Sequence, residues 1–277
     1  MTYCVGIEVN EGLVFAADTR TSASFDDVRV YRKMHVFEWL GDRVFVIMSG
    51  GNLATAQRSG SRRQGEADDP DATRSLRTFS HLYEVAEYVG DTLVASQVKM
   101  SDEAQQSGVN VQSTLILGGQ IAGERPGLYM VYPLGNCIAT SPETPYLQIG
   151  ESKYGKPILD RIIRPETSLE DAARCALVSL DSTIRSNLSV GMPVDMALLR
   201  SGDLKISQKM RLEADTPLYA EIHDTWSRKL EAAVHSLPRF PWEPPQERED
   251  VPGPLPAMPP RRIPSRQDPG DAQGQQQ

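Results

Sequence analysis

The chain has 277 residues, 39% hydrophobic and 24% charged, which is enough to bury one large core, and no apolar stretch approaches the ~18–20 residues of a membrane span. Its net charge of −8 comes without a basic stripe or interleaved aromatics, which argues against nucleic acid as a partner. The cysteines (Cys4, Cys137, Cys175) are odd in number, far apart and form no C-x-x-C pair, and the four histidines are scattered; this predicts no disulfide framework, no metal site and a reducing, cytoplasmic setting.

An apolar β-type run opens at once over residues 3–9, so no signal peptide is expected. The turn Asn10-Glu11-Gly12 leads into residues 13–18, and a polar loop then runs to Arg32-Lys33. Residues 34–38, the turn Gly41-Asp42 and residues 43–49 follow, so residues 2–49 read as four strands in two hairpins. A helix begins near Asn52. The polar, turn-rich stretch from Arg58 to Asp71 reads as an exposed loop. A second helix starts near Ser80, with Leu82, Val85, Ala86, Val89, Leu93 and Val94 on one face.

Strands return at 113–119, 128–133 and 137–139. Helices are predicted over 152–163 and 168–186, the second capped by Ser168 with Glu170 and Asp171 in its first turn. A hairpin of 194–199 with 204–206 turns around Gly202-Asp203, and a last helix covers 217–235. From Leu237 the composition shifts: eleven of the 20 prolines lie beyond it. The domain is therefore placed at 1–236 and a proline-rich, disordered tail at 237–277. Pro254, Pro256, Pro259 and Pro260 make a candidate ligand for a proline-reading partner, although a plain solvated tail is the first reading. Groups of strands separated by helix pairs suit an α+β fold with stacked sheets and outer helices; the pattern alone allows other arrangements.

Thr2 is the candidate nucleophile. It is small enough for Met1 to be removed, which would leave a hydroxyl and a free α-amine on one residue. The amine, titrating near ~8, can take the hydroxyl proton, so no distant histidine is needed. A nearby lysine would lower the hydroxyl pKa through opposite-charge attraction, and a carboxylate would hold that lysine.

The set Thr2, "AADTR" at 16–20, Lys33 and Ser49-Gly50-Gly51, in strand, loop, strand and helix order, resembles the start of proteasome β-type subunits, which are N-terminal-nucleophile hydrolases. "MTYCVGI" and "YRKMHVFE" resemble the bacterial Anbu family more closely, and the resemblance covers about residues 2–235. It implies a four-layer αββα sandwich, no cofactor, self-assembly of identical subunits into a ring or spiral, and threonine-type hydrolysis of peptide or small-amide bonds. By position it gives Thr2 as nucleophile, Lys33 as the lysine beside it, Asp18 as the carboxylate holding Lys33, and Arg20 as support for that cluster. Gly50 and Gly51 together supply oxyanion N–H groups. Ser152 either substitutes for a family serine or caps a helix, and Ser189 is either a family site serine or a turn residue. The chain departs from the family pattern at Gly150, Ser186 and Val190. A narrow-specificity amidase of the same fold and a non-catalytic self-assembling scaffold are the alternatives.

Overall fold

The computed structural model of the protein describes residues 2–22, 28–69, 71–104 and 110–243. The first hairpin is β1 (Tyr3–Val9) and β2 (Gly12–Asp18). A short ribbon of β3 (Arg20–Ser22) and β4 (Val28–Val30) occupies part of the expected loop. The second large hairpin is β5 (Met34–Trp39) and β6 (Arg43–Gly51), followed by α1 (Leu53–Asp68) and α2 (Leu82–Ala104). Then come β7 (Ser113–Ile121), β8 (Gly127–Val131), β9 (Cys137–Ala139), β10 (Tyr146–Gly150), α3 (Lys156–Ile162) and α4 (Leu169–Ser186). β11 (Val194–Arg200), β12 (Gln208–Leu212) and α5 (Pro217–His235) complete the described elements.

The strands form two five-stranded antiparallel sheets, ordered β10-β1-β2-β11-β12 and β5-β6-β7-β8-β9. Alternation along each strand sends side chains into different layers. In β1, Tyr3, Val5, Ile7 and Val9 pack with Leu159 of α3 and with Leu169, Ala176 and Leu180 of α4. Cys4 points the other way, joining Leu13, Phe15 and Ala17 of β2 against Val44, Val46 and Met48 of β6. Phe45 and Ile47 of β6 then meet Val85, Val89 and Leu93 of α2. Three apolar layers between four structural layers make the αββα sandwich, and both faces of β2 are buried, which is why its sequence shows no polar alternation. Each fully buried Leu, Ile or Phe contributes about 1.5–3 kcal/mol, so these layers dominate the stability.

Four expectations need correction. The stretch from Arg58 is helical, not looped: α1 runs on to Asp68 and packs on α2, with Ser59, Arg63 and Ala67 as its buried face. Its inward residues are small or polar, so no apolar stripe marks them. β10 was not expected as a strand, yet it pairs with β1 at the sheet edge. α3 begins at Lys156 rather than Ser152, with Gly155 at its cap position. The last strand, β12, lies a few residues later than 204–206; as an edge strand it carries apolar residues only at Met210 and Leu212. Ser168 caps α4 as expected, accepting from the Asp171 N–H at 3.2 Å.

The chain divides into the units Met1–Val234 and His235–Gln277. Of the second, residues 235–243 are described, and there the rings of Phe240 and Trp242 stack at 4.5 Å. The proline cluster from Pro254 to Pro260 lies outside the described residues. No described helix is long and apolar enough to cross a membrane.

His35 lies on the β5 face shared with Phe37, toward the α1/α2 layer. Burial lowers its pKa, and the Arg63 and Arg32 charges lower it further. Its folded value therefore lies below the unfolded ~6.5, and between the two the unfolded chain binds more protons. Stability should fall as pH drops below about 6.5, and His35→Gln should lose part of that slope. Urea unfolding at about pH 7.5 and about pH 5 measures this; identical pH dependence in the two proteins would contradict it.

Candidate active site

β1 begins one residue after Thr2, and β10 lies beside it. The Glu151 N–H donates to the Thr2 carbonyl at 2.8 Å. Gly150, paired with Tyr3, has φ +85°, and a Cβ there would lie 1.8 Å from the Thr2 carbonyl oxygen. Glycine is therefore the residue this backbone requires, at the position where the resemblance places a serine. Gly150→Ala, or Gly150→Ser restoring that serine, should cost at least about 2 kcal/mol and lower Tm by about 4–8 °C. A scanning-calorimetry shift under 1–2 °C would contradict this.

Asp18 ends β2, fully buried, and Lys33 leads into β5, 3% exposed. The Lys33 Nζ donates to Asp18 Oδ1 at 2.6 Å and to the Arg20 carbonyl at 2.7 Å. Asp18 also accepts from the Tyr3 N–H at 2.9 Å and from the Gly191 N–H at 3.3 Å. Burial pushes the Asp18 carboxyl up from the ordinary range, while the Lys33 ammonium and these two N–H donors pull it back. Asp18 thus ties the residue after Thr2, the site lysine and the loop before β11 to one point.

Arg20 joins the cluster through its carbonyl, not its side chain. Its guanidinium donates to the Leu188 carbonyl at 2.9 Å, and its Cζ lies 2.5 Å from where a Gly191 Cβ would stand. It braces the loop that supplies the Gly191 N–H. In the same loop Val190 is buried between the first sheet and α4, so that position is used for packing.

Thr2, Thr21, Lys33, Gly50, Gly51 and Ala56 line one cavity of about 280 Å³. The Thr2 methyl is 3.5 Å from a Cβ built on Gly50. Gly51 has φ +103° and its Cβ would strike the Gln112 carbonyl at 2.5 Å, so both glycines are held close to their neighbours. Asn52 caps α1 by accepting from the Thr55 N–H at 3.0 Å, which starts the helix at the cavity edge. Cys4 lies just behind, its thiol within 3.8 Å of the Ser49 carbonyl; burial raises its pKa above the usual thiol range and leaves it neutral.

Ser152 and Ser189 do not line this cavity. Ser152 does not cap α3 either: its N–H donates to the Gly150 carbonyl, and its own carbonyl accepts from the Lys156 N–H at 2.9 Å. The Ser189 N–H donates to Asn187 Oδ1 at 2.9 Å, in the turn that closes α4. Sequence reasoning missed Thr21, Ala56 and Gly191. Thr21 sits in the short ribbon read as loop, and Gly191 contributes only a backbone N–H.

No protein-family model matches the chain. It is 23% identical to the proteasome β subunit of Haloquadratum walsbyi over 212 residues, covering 75% of this chain and 76% of that one. It is 28% identical to proteasome β subunit 2 of Pyrobaculum islandicum over 201 residues, covering 72% and 90%. Among solved structures it is 40% identical to Anbu (ancestral β-subunit) from Yersinia bercovieri, with TM-score 0.81 over 86% of this chain and 99% of that one. It is 41% identical to the Anbu complex from Pseudomonas aeruginosa, solved as a helical assembly, with TM-score 0.82 over 87% and 98%.

Proposed function

We propose a function from one premise: the chain belongs to the Anbu family of proteasome β-like proteins. It is a threonine-type N-terminal-nucleophile hydrolase acting on peptide or small-amide bonds. The observation that carries this is the buried Lys33–Asp18 pair, whose lysine lines the same cavity as Thr2.

Loss of Met1 frees the Thr2 amine. The Thr2 Oγ then attacks the substrate carbonyl, and its proton passes through a water to that amine. The fixed Lys33 ammonium lowers the pKa of the hydroxyl, and Asp18 holds the ammonium in place. Of the two glycines, Gly51 is assigned as the oxyanion donor. The Ser49 N–H goes to the Lys33 carbonyl on the β5 side, and the Asn52 N–H goes to the Gln112 carbonyl on the β7 side. Alternation then directs the Gly51 N–H to the β5 side, beyond the end of that strand, where the cavity lies. Collapse of the tetrahedral species breaks the C–N bond, and the leaving amine takes the proton from the Thr2 ammonium. Water then hydrolyses the acyl-threonine ester.

The same reading makes the protein a cytoplasmic homo-oligomer, ring or spiral; the Pseudomonas relative was solved as a helical assembly. Light scattering at micromolar concentration should show an assembly, and a monomer would count against it. A panel of fluorogenic peptides and small amides tests the chemistry. Turnover by the wild type and none by Thr2→Ala is the expected pattern, and undiminished turnover by Thr2→Ala would contradict it.

A further inference from the structure

Among the described residues, Lys33, Arg43 and Arg63 are the buried cations. Lys33 pairs with Asp18 and Arg43 with Asp42. Arg63, 2% exposed, has no carboxylate within ion-pair distance among the described residues; the Glu66 charge reaches it only from farther off. Its Nη1 reaches only hydroxyls, Ser59 Oγ and, at 3.4 Å, Thr92 Oγ1, and its Nε has no hydrogen-bond partner. Glu66, one turn away, is committed elsewhere: its carboxylate takes Arg62 and the Tyr88 hydroxyl. A buried guanidinium left this way is costly, and a carboxylate arriving from outside would relieve it.

The side chain of Arg63 runs back toward the start of α1, as helical side chains do. Its Nη1 bonds Ser59, and its Nη2 is 3.9 Å from where a Gly60 Cβ would stand. The next residue on that face is Ala56, which lines the cavity beside Thr2. Ala56, Ser59 and Gly60 are all small, so along the inward face of α1 itself no bulky side chain stands between the cavity and the guanidinium, which lies between α1, Thr92 of α2 and His35 of β5.

We infer that this cavity selects a substrate whose side chain ends in a carboxylate, which passes Ala56 and pairs with Arg63. The inference rests on the hydrolase reading above and names its substrate class: bonds on the carbonyl side of glutamate or a similar acidic residue.

Protection of Thr2 tests it. A threonine-directed β-lactone labels the full-length protein, and tripeptide aldehydes ending in glutamate or in isosteric glutamine compete. A charge-assisted hydrogen bond to a buried guanidinium should let the glutamate aldehyde protect at about 10- to 100-fold lower concentration. Arg63→Met should abolish that ratio. Ala56→Leu, which narrows the route and leaves Arg63 with its partners, should abolish it too and keeps the test usable if Arg63→Met does not fold. Equal protection by the two aldehydes in the wild type, or a ratio that survives both substitutions, overturns the inference while leaving the nucleophile established. A wild type that takes no β-lactone at all overturns the hydrolase reading and this inference with it.

Discussion

Thr2→Ala should lower the rate of hydrolysis about a thousandfold or more while leaving Tm nearly unchanged. The substitution removes the only atom that becomes bonded to the substrate, and what remains is binding and oxyanion stabilisation. Thr2 is half-buried at the mouth of β1, and its structural contact to Glu151 is made by its carbonyl, which alanine keeps. Thr2→Ser retains the hydroxyl and the amine and should retain measurable turnover. Kinetics on the best substrate, beside a thermal melt, checks both halves. A Thr2→Ala protein that is inactive because it is unfolded would not satisfy the expectation.

Lys33→Met should be the most destabilising single change near the site. It leaves Asp18 fully buried with its counter-charge gone and only two backbone N–H donors. Breaking a buried ion pair in this way costs about 3–5 kcal/mol. At about 2–4 °C per kcal/mol for a domain of this size, Tm falls by about 6–20 °C. The double variant Asp18→Asn with Lys33→Met removes both charges, so most of the stability should return while activity does not. The pH dependence has a definite sign. With Lys33 gone, the folded-state pKa of Asp18, already raised by burial, rises further. The protonated fold is then favoured, and the variant loses stability as pH climbs through that folded value. Chemical denaturation of both variants between about pH 5 and about pH 8 tests this. A double variant no more stable than Lys33→Met would show that the pair is not coupled as described.

The sheets were legible in the sequence because β1, β2, β6 and β7 are apolar runs closed by turns at Gly12 and Gly41-Asp42. β10 was hidden because Tyr146-Leu147-Gln148-Ile149 is short and leads straight into a glycine and a helix. The second half of α1 does not show as a helix because its inward residues are Ser59, Arg63 and the small Ala67. Periodicity finds apolar stripes, and this buried face has none. At the site, Thr2, Lys33, Gly50 and Gly51 lie together on one cavity, with Asp18 behind Lys33. Their residue types carry their chemistry and can be seen without a structure. The contribution of Arg20 is different in kind, since its carbonyl accepts a hydrogen bond from the Lys33 ammonium and its side chain braces another loop. Backbone groups carry no sequence signature, so Gly191 and Glu151 were invisible for the same reason. Gly150 shows the converse: the need for glycine there becomes visible only once the Thr2 carbonyl is seen 1.8 Å from where a Cβ would stand.

The hydrolase reading stands or falls with Thr2 as the free, reactive first residue of the working protein. An intact mass of the purified protein after treatment with a threonine-directed β-lactone tests it most directly. The expected result is a chain that has lost Met1 and gained one probe, with no gain in Thr2→Ala. A chain that keeps Met1 has its amine blocked and would contradict the mechanism; a chain that has lost Met1 yet takes no probe would contradict the nucleophile.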